Sequence, residues 1–104
     1  MNFLKILLIT FITLITSVKA DLNTHLEEGG KLIFIRHAYA PGNGDPKNFN
    51  LNDCSTQRNL SESGKNQAKK IGMFFTKNKV FLDKIFSSEW CRCKDTALIA
   101  FNKF

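Results

Sequence analysis

Two short apolar runs, each followed by a stretch with helical periodicity, most restrict the fold of this chain. The first run spans residues 31–36 (KLIFIR) and the second spans residues 84–87 (KIFS). Alternation of this kind predicts parallel strands joined by a right-handed crossover. We therefore predict an α/β fold, a parallel sheet with flanking helices. Because two strands make a very small sheet and parallel sheets need cover on both faces, the predicted fold is incomplete.

Three helices are expected around the two runs. Residues 21–28 predict a short lead-in helix that ends at two glycines. Ser61 has the chemistry of an N-cap for a second helix, and a third begins at about Glu89. Between the first run and Ser61, residues 38–60 hold both prolines and predict a long functional or disordered loop. The apolar residues expected on buried helix faces are Ala68, Ile71, Gly72 and Phe75 in the second helix and Ala97, Leu98 and Phe101 in the third.

The first twenty residues have the pattern of a secretory signal peptide. Lys5 precedes an apolar stretch at residues 6–18, and small side chains flank a predicted cleavage site after Ala20. A buried helix and an uncleaved anchor are the alternatives, but a membrane helix needs about 20 apolar residues. We predict a signal peptide at 1–20 and a domain at 21–104. The protein is then periplasmic or secreted, with no stable membrane anchor after cleavage.

The net charge and the cysteine content limit which classes of partner and cofactor are expected. The formal net charge of +6 suits anionic ligands, but the lysines and arginines are spread along the chain, so we predict no nucleic-acid partner. Export would place the three cysteines in an oxidising compartment. A disulfide from Cys54 to either Cys91 or Cys93 is then an option, and at least one thiol stays unpaired within the chain. Because a structural zinc site needs four ligands, we predict no metal and no other cofactor.

Three side chains with phosphate chemistry follow the two apolar runs. Arg36 and His37 end the first run, and Arg92 lies shortly after the second. Ligands of parallel α/β proteins bind at the carboxyl ends of strands, so we expect these side chains to converge. A guanidinium grips phosphate oxygens, and a neutral imidazole can attack phosphorus. The alternatives are a surface Arg-His pair and an ion pair of Arg92 with Glu89 or Asp95 on its own helix.

Three blocks of residues resemble the histidine phosphatase superfamily, the phosphoglycerate-mutase-like group. The first block reads Phe34-Ile35-Arg36-His37-Ala38, where the family has Arg-His-Gly. The second block, LSESGKNQA, runs from Leu60 to Ala68. The third block consists of Ser88, Arg92, Thr96 and Ala97 at the family's spacing. Together the blocks cover most of residues 31–97, and they imply the N-terminal part of a histidine-phosphatase-like α/β fold.

The resemblance implies a phosphomonoester phosphatase that acts through a phosphohistidine intermediate. His37 would be the nucleophile that becomes phosphorylated, while Arg36 and Arg92 would clamp the phosphate. The implied reaction needs no metal, and the implied partner is a phosphorylated small molecule or sugar phosphate. Three loop residues are expected to meet the substrate, namely Asn43, which falls where many relatives contact the phosphate, Arg58 and Ser55.

The chain also departs from the family pattern. Ala38 replaces the usual Gly, and Gln57 stands where many members carry an Asp. The second family histidine and the acid that protonates the leaving oxygen have no counterpart, and His25 precedes the first run. We therefore expect a truncated domain of low or no activity alone. The alternatives are a non-catalytic secreted phosphate- or anion-binding module and a remnant without function.

Overall fold

The computed structural model describes residues 21–104, and three α-helices form its regular part. Helix α1 spans Leu22–Glu27, α2 spans Glu62–Lys77 and α3 spans Cys91–Phe101. A 3-10 turn at Cys54–Thr56 lies in the loop between α1 and α2. None of the helices in this part of the chain is long and apolar enough to cross a membrane. The predicted signal peptide lies outside the described residues.

Local sequence signals define both ends of α2. The Ser61 side chain accepts a hydrogen bond from the Gly64 N–H at 3.1 Å, which satisfies a donor that the first turn leaves free. At the other end, Lys79 has a positive φ of 54°. The Val80 N–H then donates to the Phe75 carbonyl oxygen at 2.9 Å, as in a Schellman motif. The predicted start of this helix is confirmed.

The core lies between α2 and α3. Ala68 is fully buried, and Phe75 packs edge-on against Phe101 with ring centroids 5.2 Å apart. Gly72 lies so close to Ala100 that a Cβ at position 72 would overlap the Ala100 backbone. The predicted burial of Ala68, Gly72 and Phe75 is therefore confirmed, whereas Ile71 is only half-buried. The small residues of this face allow the two helices to approach closely.

Helix α3 differs from the prediction in two respects. It begins at Cys91 rather than at about Glu89. Its buried side chains include Arg92 and Ala97, but Leu98 is 47% exposed, so its predicted burial is wrong. The buried face is turned toward the loop before α2 because polar atoms of that loop bond to the start of α3.

The prediction of a parallel sheet with flanking helices is wrong for the described residues. Residues 31–36 and 84–87 have no regular secondary structure, and apart from one isolated bridge in the loop no strand pairing occurs between residues 21 and 104. Phe34 is 88% exposed and Phe86 is 82% exposed. An apolar run indicates a tendency toward burial, but a strand forms only when its N–H and C=O groups pair with a neighbouring strand. Neither run has such a neighbour here.

The close approach of the two helices gives a stability prediction. Gly72→Ala should lower the free energy of unfolding by about 1–3 kcal/mol, because the added methyl group meets the Ala100 backbone. Urea unfolding followed by circular dichroism measures the change. Lys70→Ala, on the exposed side of α2, is the control and should change stability by less than about 0.5 kcal/mol. An undiminished stability of Gly72→Ala would contradict the packing described above.

Candidate active site

Residues 38–60, here called the long loop, are fixed at their start by side chains of both long helices. The Ala38 N–H donates to the Thr96 hydroxyl oxygen at 3.0 Å, and Ala38 is only 2% exposed. The Tyr39 N–H donates to Oε1 of Gln67 at 2.8 Å. Because a buried N–H needs an acceptor, these bonds hold the backbone directly after the predicted nucleophile against α2 and α3.

The far end of the long loop is fastened to the start of α3. Gln57 is buried; its Oε1 accepts from the Cys91 N–H and its Nε2 donates to the Asn50 carbonyl oxygen, both at 2.9 Å. A disulfide joins Cys54 to Cys91, which decides between the two pairings that the sequence left open. Cys93 keeps a free, half-buried thiol. A covalent link and a buried amide therefore fix the same point of α3.

A cavity of about 560 Å³ lies between the end of the first apolar run and the long loop. The loop residues Gly42 and Gly44, together with Tyr39 and Gln67, form part of its wall. Within residues 21–104, no acidic residue and no second histidine lines it, and no three His, Cys, Asp or Glu side chains cluster as a metal site. Four of the predicted site residues line this cavity: Arg36, His37, Asn43 and Arg58.

The His37 ring is held by a contact that decides its tautomer. Its Nδ1 lies 2.7 Å from the carbonyl oxygen of Ala38. Because a carbonyl oxygen can only accept, Nδ1 must carry the proton. In the neutral ring, Nε2 then holds the unshared electron pair. The contact thus orients His37 and leaves Nε2 as the nucleophilic nitrogen.

Arg58 is locked into the long loop by its own hydrogen bonds. Its Nε donates to the Gly44 carbonyl oxygen at 2.9 Å, and its Nη1 donates to the Ala40 carbonyl oxygen. Its backbone N–H donates to Oδ1 of Asp45 at 2.9 Å. The guanidinium therefore brings positive charge to the cavity wall, while several of its donors are already used by the loop.

Arg92 does not line the cavity but lies behind the Arg58 backbone. Its Nη1 contacts Oδ1 of Asp45 at 2.9 Å and the Arg58 carbonyl oxygen at 3.4 Å. Only a tenth of each side chain of the Arg92–Asp45 ion pair is exposed. The guanidinium also stacks over Trp90 at 4.5 Å from the ring centroid. The partner of Arg92 is thus an acid of the long loop rather than one of its own helix. Ser55, the remaining candidate, lies outside the lining and bonds to Asp53.

Asp45 is the residue of this region that the sequence analysis did not single out. The Arg58 backbone N–H, followed by the ion pair with Arg92, lowers the pKa of the Asp45 carboxyl, although burial opposes this change. A usable signal was present, because Asp45 and Asp53 are the only acids in a loop that also carries Arg58. The proximity of Asp45 to Arg92 in space could not be predicted from the sequence.

A comparison with protein-family sequence models identifies the family of the chain. The sequence model of the histidine phosphatase superfamily (branch 1) matches residues 32–104, which include all three blocks described above. The chain belongs to the histidine phosphatase superfamily. No curated protein and no solved structure matches the chain. Membership in the histidine phosphatase superfamily suggests a phosphatase or mutase-like function for the domain.

The disulfide gives a prediction for this region. Replacing Cys54 by Ser removes the link between the long loop and α3, and should lower the free energy of unfolding by about 2–4 kcal/mol. Thermal unfolding with and without a dithiol reductant measures the effect. Cys93→Ser is the matched control and should unfold as the natural chain does. If Cys54→Ser and Cys93→Ser lower the unfolding temperature equally, the Cys54–Cys91 pairing is contradicted.

The lowered pKa of Asp45 gives a pH prediction. A depressed carboxyl pKa contributes stability that is present above the ordinary value of 3.8 and is lost as the pH falls through the folded-state value. The natural chain should therefore exceed Asp45→Asn in unfolding temperature by a constant amount from neutral pH down to about pH 4. Below that pH the difference should shrink. A difference that disappears already at about pH 6 would contradict the ion pair.

Proposed function

We propose that this member of the superfamily is an exported phosphomonoester phosphatase that acts through a phosphohistidine at His37. The observation that carries the proposal is the Nδ1 contact with Ala38, which leaves Nε2 free at a cavity lined by Arg36 and Arg58. In the first step the Nε2 lone pair attacks phosphorus, an N–P bond forms and the ester P–O bond breaks. In the second step water attacks phosphorus, and the N–P bond breaks as the new P–O bond forms. The electron pair returns to Nε2, and inorganic phosphate leaves with the protons of the water.

Positive charge around His37 favours both steps. The phosphoryl group carries negative charge through the transition state, and guanidinium donors fixed beforehand stabilise it without reorganising. Arg36 and Arg58 lie at the cavity, with Asn43 as a neutral donor. Arg92 lies behind the Arg58 backbone and does not line the cavity, so its charge acts on the site from outside the lining. The carboxylate of Asp45 offsets the charge of only one of these arginines.

Turnover by this chain alone should be slow. The alkoxide that leaves in the first step needs a proton, and within residues 21–104 no acidic residue lines the cavity. General-acid assistance typically contributes about 10²–10⁴-fold, and the described lining supplies no carboxyl group for it. The same observation favours a second candidate function, a secreted module that binds phosphate or another anion without turnover.

Export and a small substrate are part of the proposal. The disulfide between Cys54 and Cys91 supports an oxidising compartment such as the periplasm or the extracellular space. The cavity volume of about 560 Å³ lies within the range for small-molecule sites. A phosphorylated small molecule such as a sugar phosphate suits this volume and charge.

The phosphohistidine gives the decisive experiment. Incubation with a radiolabelled sugar phosphate should leave an acid-labile, base-stable label on the chain. His37→Ala should abolish the label, because the attacking nitrogen is removed. His25→Ala is the matched control, since these are the chain's two histidines, and it should label normally.

The outcomes separate the two candidate functions. Label that persists in His37→Ala would contradict the assigned nucleophile. Phosphate-dependent thermal stabilisation without any label would favour the binding module. Neither label nor stabilisation would contradict both.

A further inference from the structure

Arg92 uses only one end of its guanidinium. Within the described residues, all hydrogen bonds of the guanidinium are donated by Nη1, to Asp45 and to the Arg58 carbonyl oxygen. Its Nε is buried and has no hydrogen-bond partner. Nε and Nη2 form the side edge of the guanidinium, which can donate two parallel hydrogen bonds to an oxyanion. The edge best suited to a phosphate is therefore unused.

A buried donor without an acceptor calls for an explanation. Such a group costs about 1–3 kcal/mol, and more when it is charged, so a chain that keeps one gains something elsewhere. Arg92 as a whole is 9% exposed, so bulk water has little access to it. An oxyanion would satisfy the free edge, and because Arg92 does not line the cavity, the oxyanion reaches that edge only when the Arg58 backbone shifts.

Asp45 fixes the direction of that edge. Both of its carboxylate oxygens contact Nη1 of Arg92, at 2.9 and 3.2 Å. The carboxylate is itself held by the Arg58 backbone N–H at 2.9 Å. The Trp90 ring lies against the flat face of the guanidinium and limits its tilt. With one end bound and one face covered, the guanidinium has little freedom to rotate.

We propose that Asp45 is a positioning residue for phosphate binding, which holds Nη1 of Arg92 so that the Nε–Nη2 edge meets a phosphate oxygen. This inference rests on the proposed phosphate site. The Arg58 carbonyl oxygen that touches Nη1 connects Arg92 to the wall of the His37 cavity. Asp45 thus acts through Arg92 and does not itself contact the phosphate.

Whether Asp45→Asn raises or lowers the phosphate affinity distinguishes a positioning role from a purely electrostatic effect. If Asp45 acted only as a nearby negative charge, its removal would strengthen phosphate binding, because like charges repel. If Asp45 positions Arg92, its removal should weaken binding, because the guanidinium loses its fixed direction. The two accounts therefore predict opposite effects of Asp45→Asn.

The experiment titrates the full chain with inorganic phosphate. Asp45→Asn should weaken phosphate binding by about tenfold or more, as expected when a hydrogen bond to a charged group is lost. Asp53→Asn is the matched control: it removes the same charge from the same loop but keeps a residue that can cap the 3-10 turn. Its phosphate affinity should stay within about twofold of the natural value.

Nitrogen NMR supplies a readout that a purely structural role would not move. Arg36, Arg58 and Arg92 are the chain's three arginines, so their Nε–H signals can be assigned by substitution. Phosphate should shift the Arg92 Nε–H signal of the natural chain. In an Arg92→Lys background, Asp45→Asn should weaken phosphate binding no further, since its effect runs through the guanidinium.

Two results overturn the inference while leaving the phosphate site intact. One is an Asp45→Asn chain that binds phosphate as tightly as the natural chain or more tightly. The other is a natural chain in which phosphate shifts the Arg36 or Arg58 signal but not that of Arg92, a test that holds even if Asp45→Asn does not fold. If phosphate shifts none of the three signals, both the site and the positioning role are overturned.

Discussion

Side-chain oxygens that accept hydrogen bonds from irregular backbone hold this structure together around His37. The apolar run before His37 and the long loop after it have no sheet to satisfy their N–H groups, so acceptors must come from elsewhere. The four pairs that matter most, N–H donor first, are Ala38–Thr96, Tyr39–Gln67, Arg58–Asp45 and Cys91–Gln57. A buried N–H without an acceptor costs about 1–3 kcal/mol, so the buried Ala38 and Cys91 N–H groups can keep their packed positions only with these acceptors.

The parts of the fold that depend on neighbouring residues could be predicted from the sequence. Ser61 at the start of α2 and the small residues Ala68 and Gly72 on its buried face act within a few turns of the chain. The two apolar runs could not be assigned in this way, because whether a run becomes a strand depends on a partner distant in sequence. An apolar run indicates that a segment tends to be buried, but it does not indicate which other segment would pair with it.

In the candidate site, too, the residues that are adjacent in sequence could be predicted, whereas contacts between distant residues could not. Arg36 and His37 are adjacent in the sequence and share one cavity, and the family pattern led to both. The place of Arg92 depends on Asp45, which lies 47 residues away and belongs to no block of the family pattern. Within a loop of irregular structure no periodicity indicates which acid will meet which base. The pairing is therefore visible only in the three-dimensional structure. Arg92, which was predicted to clamp the phosphate, is buried there and has one end of its guanidinium bound to Asp45.

Hydrogen exchange of individual backbone amides tests this account most directly. The Ala38, Tyr39, Arg58 and Cys91 amides lie outside regular hydrogen-bonding patterns, yet each donates to a side-chain oxygen at 2.8 to 3.0 Å. We predict that all four exchange slowly, and that the Ala38, Tyr39 and Cys91 amides do so at similar rates, because their bonds between loop and helix are released together when the loop leaves the helices. Exchange at the fast rate of exposed loop amides, with α2 and α3 still protected, would contradict the attachment of the loop and with it the site around His37.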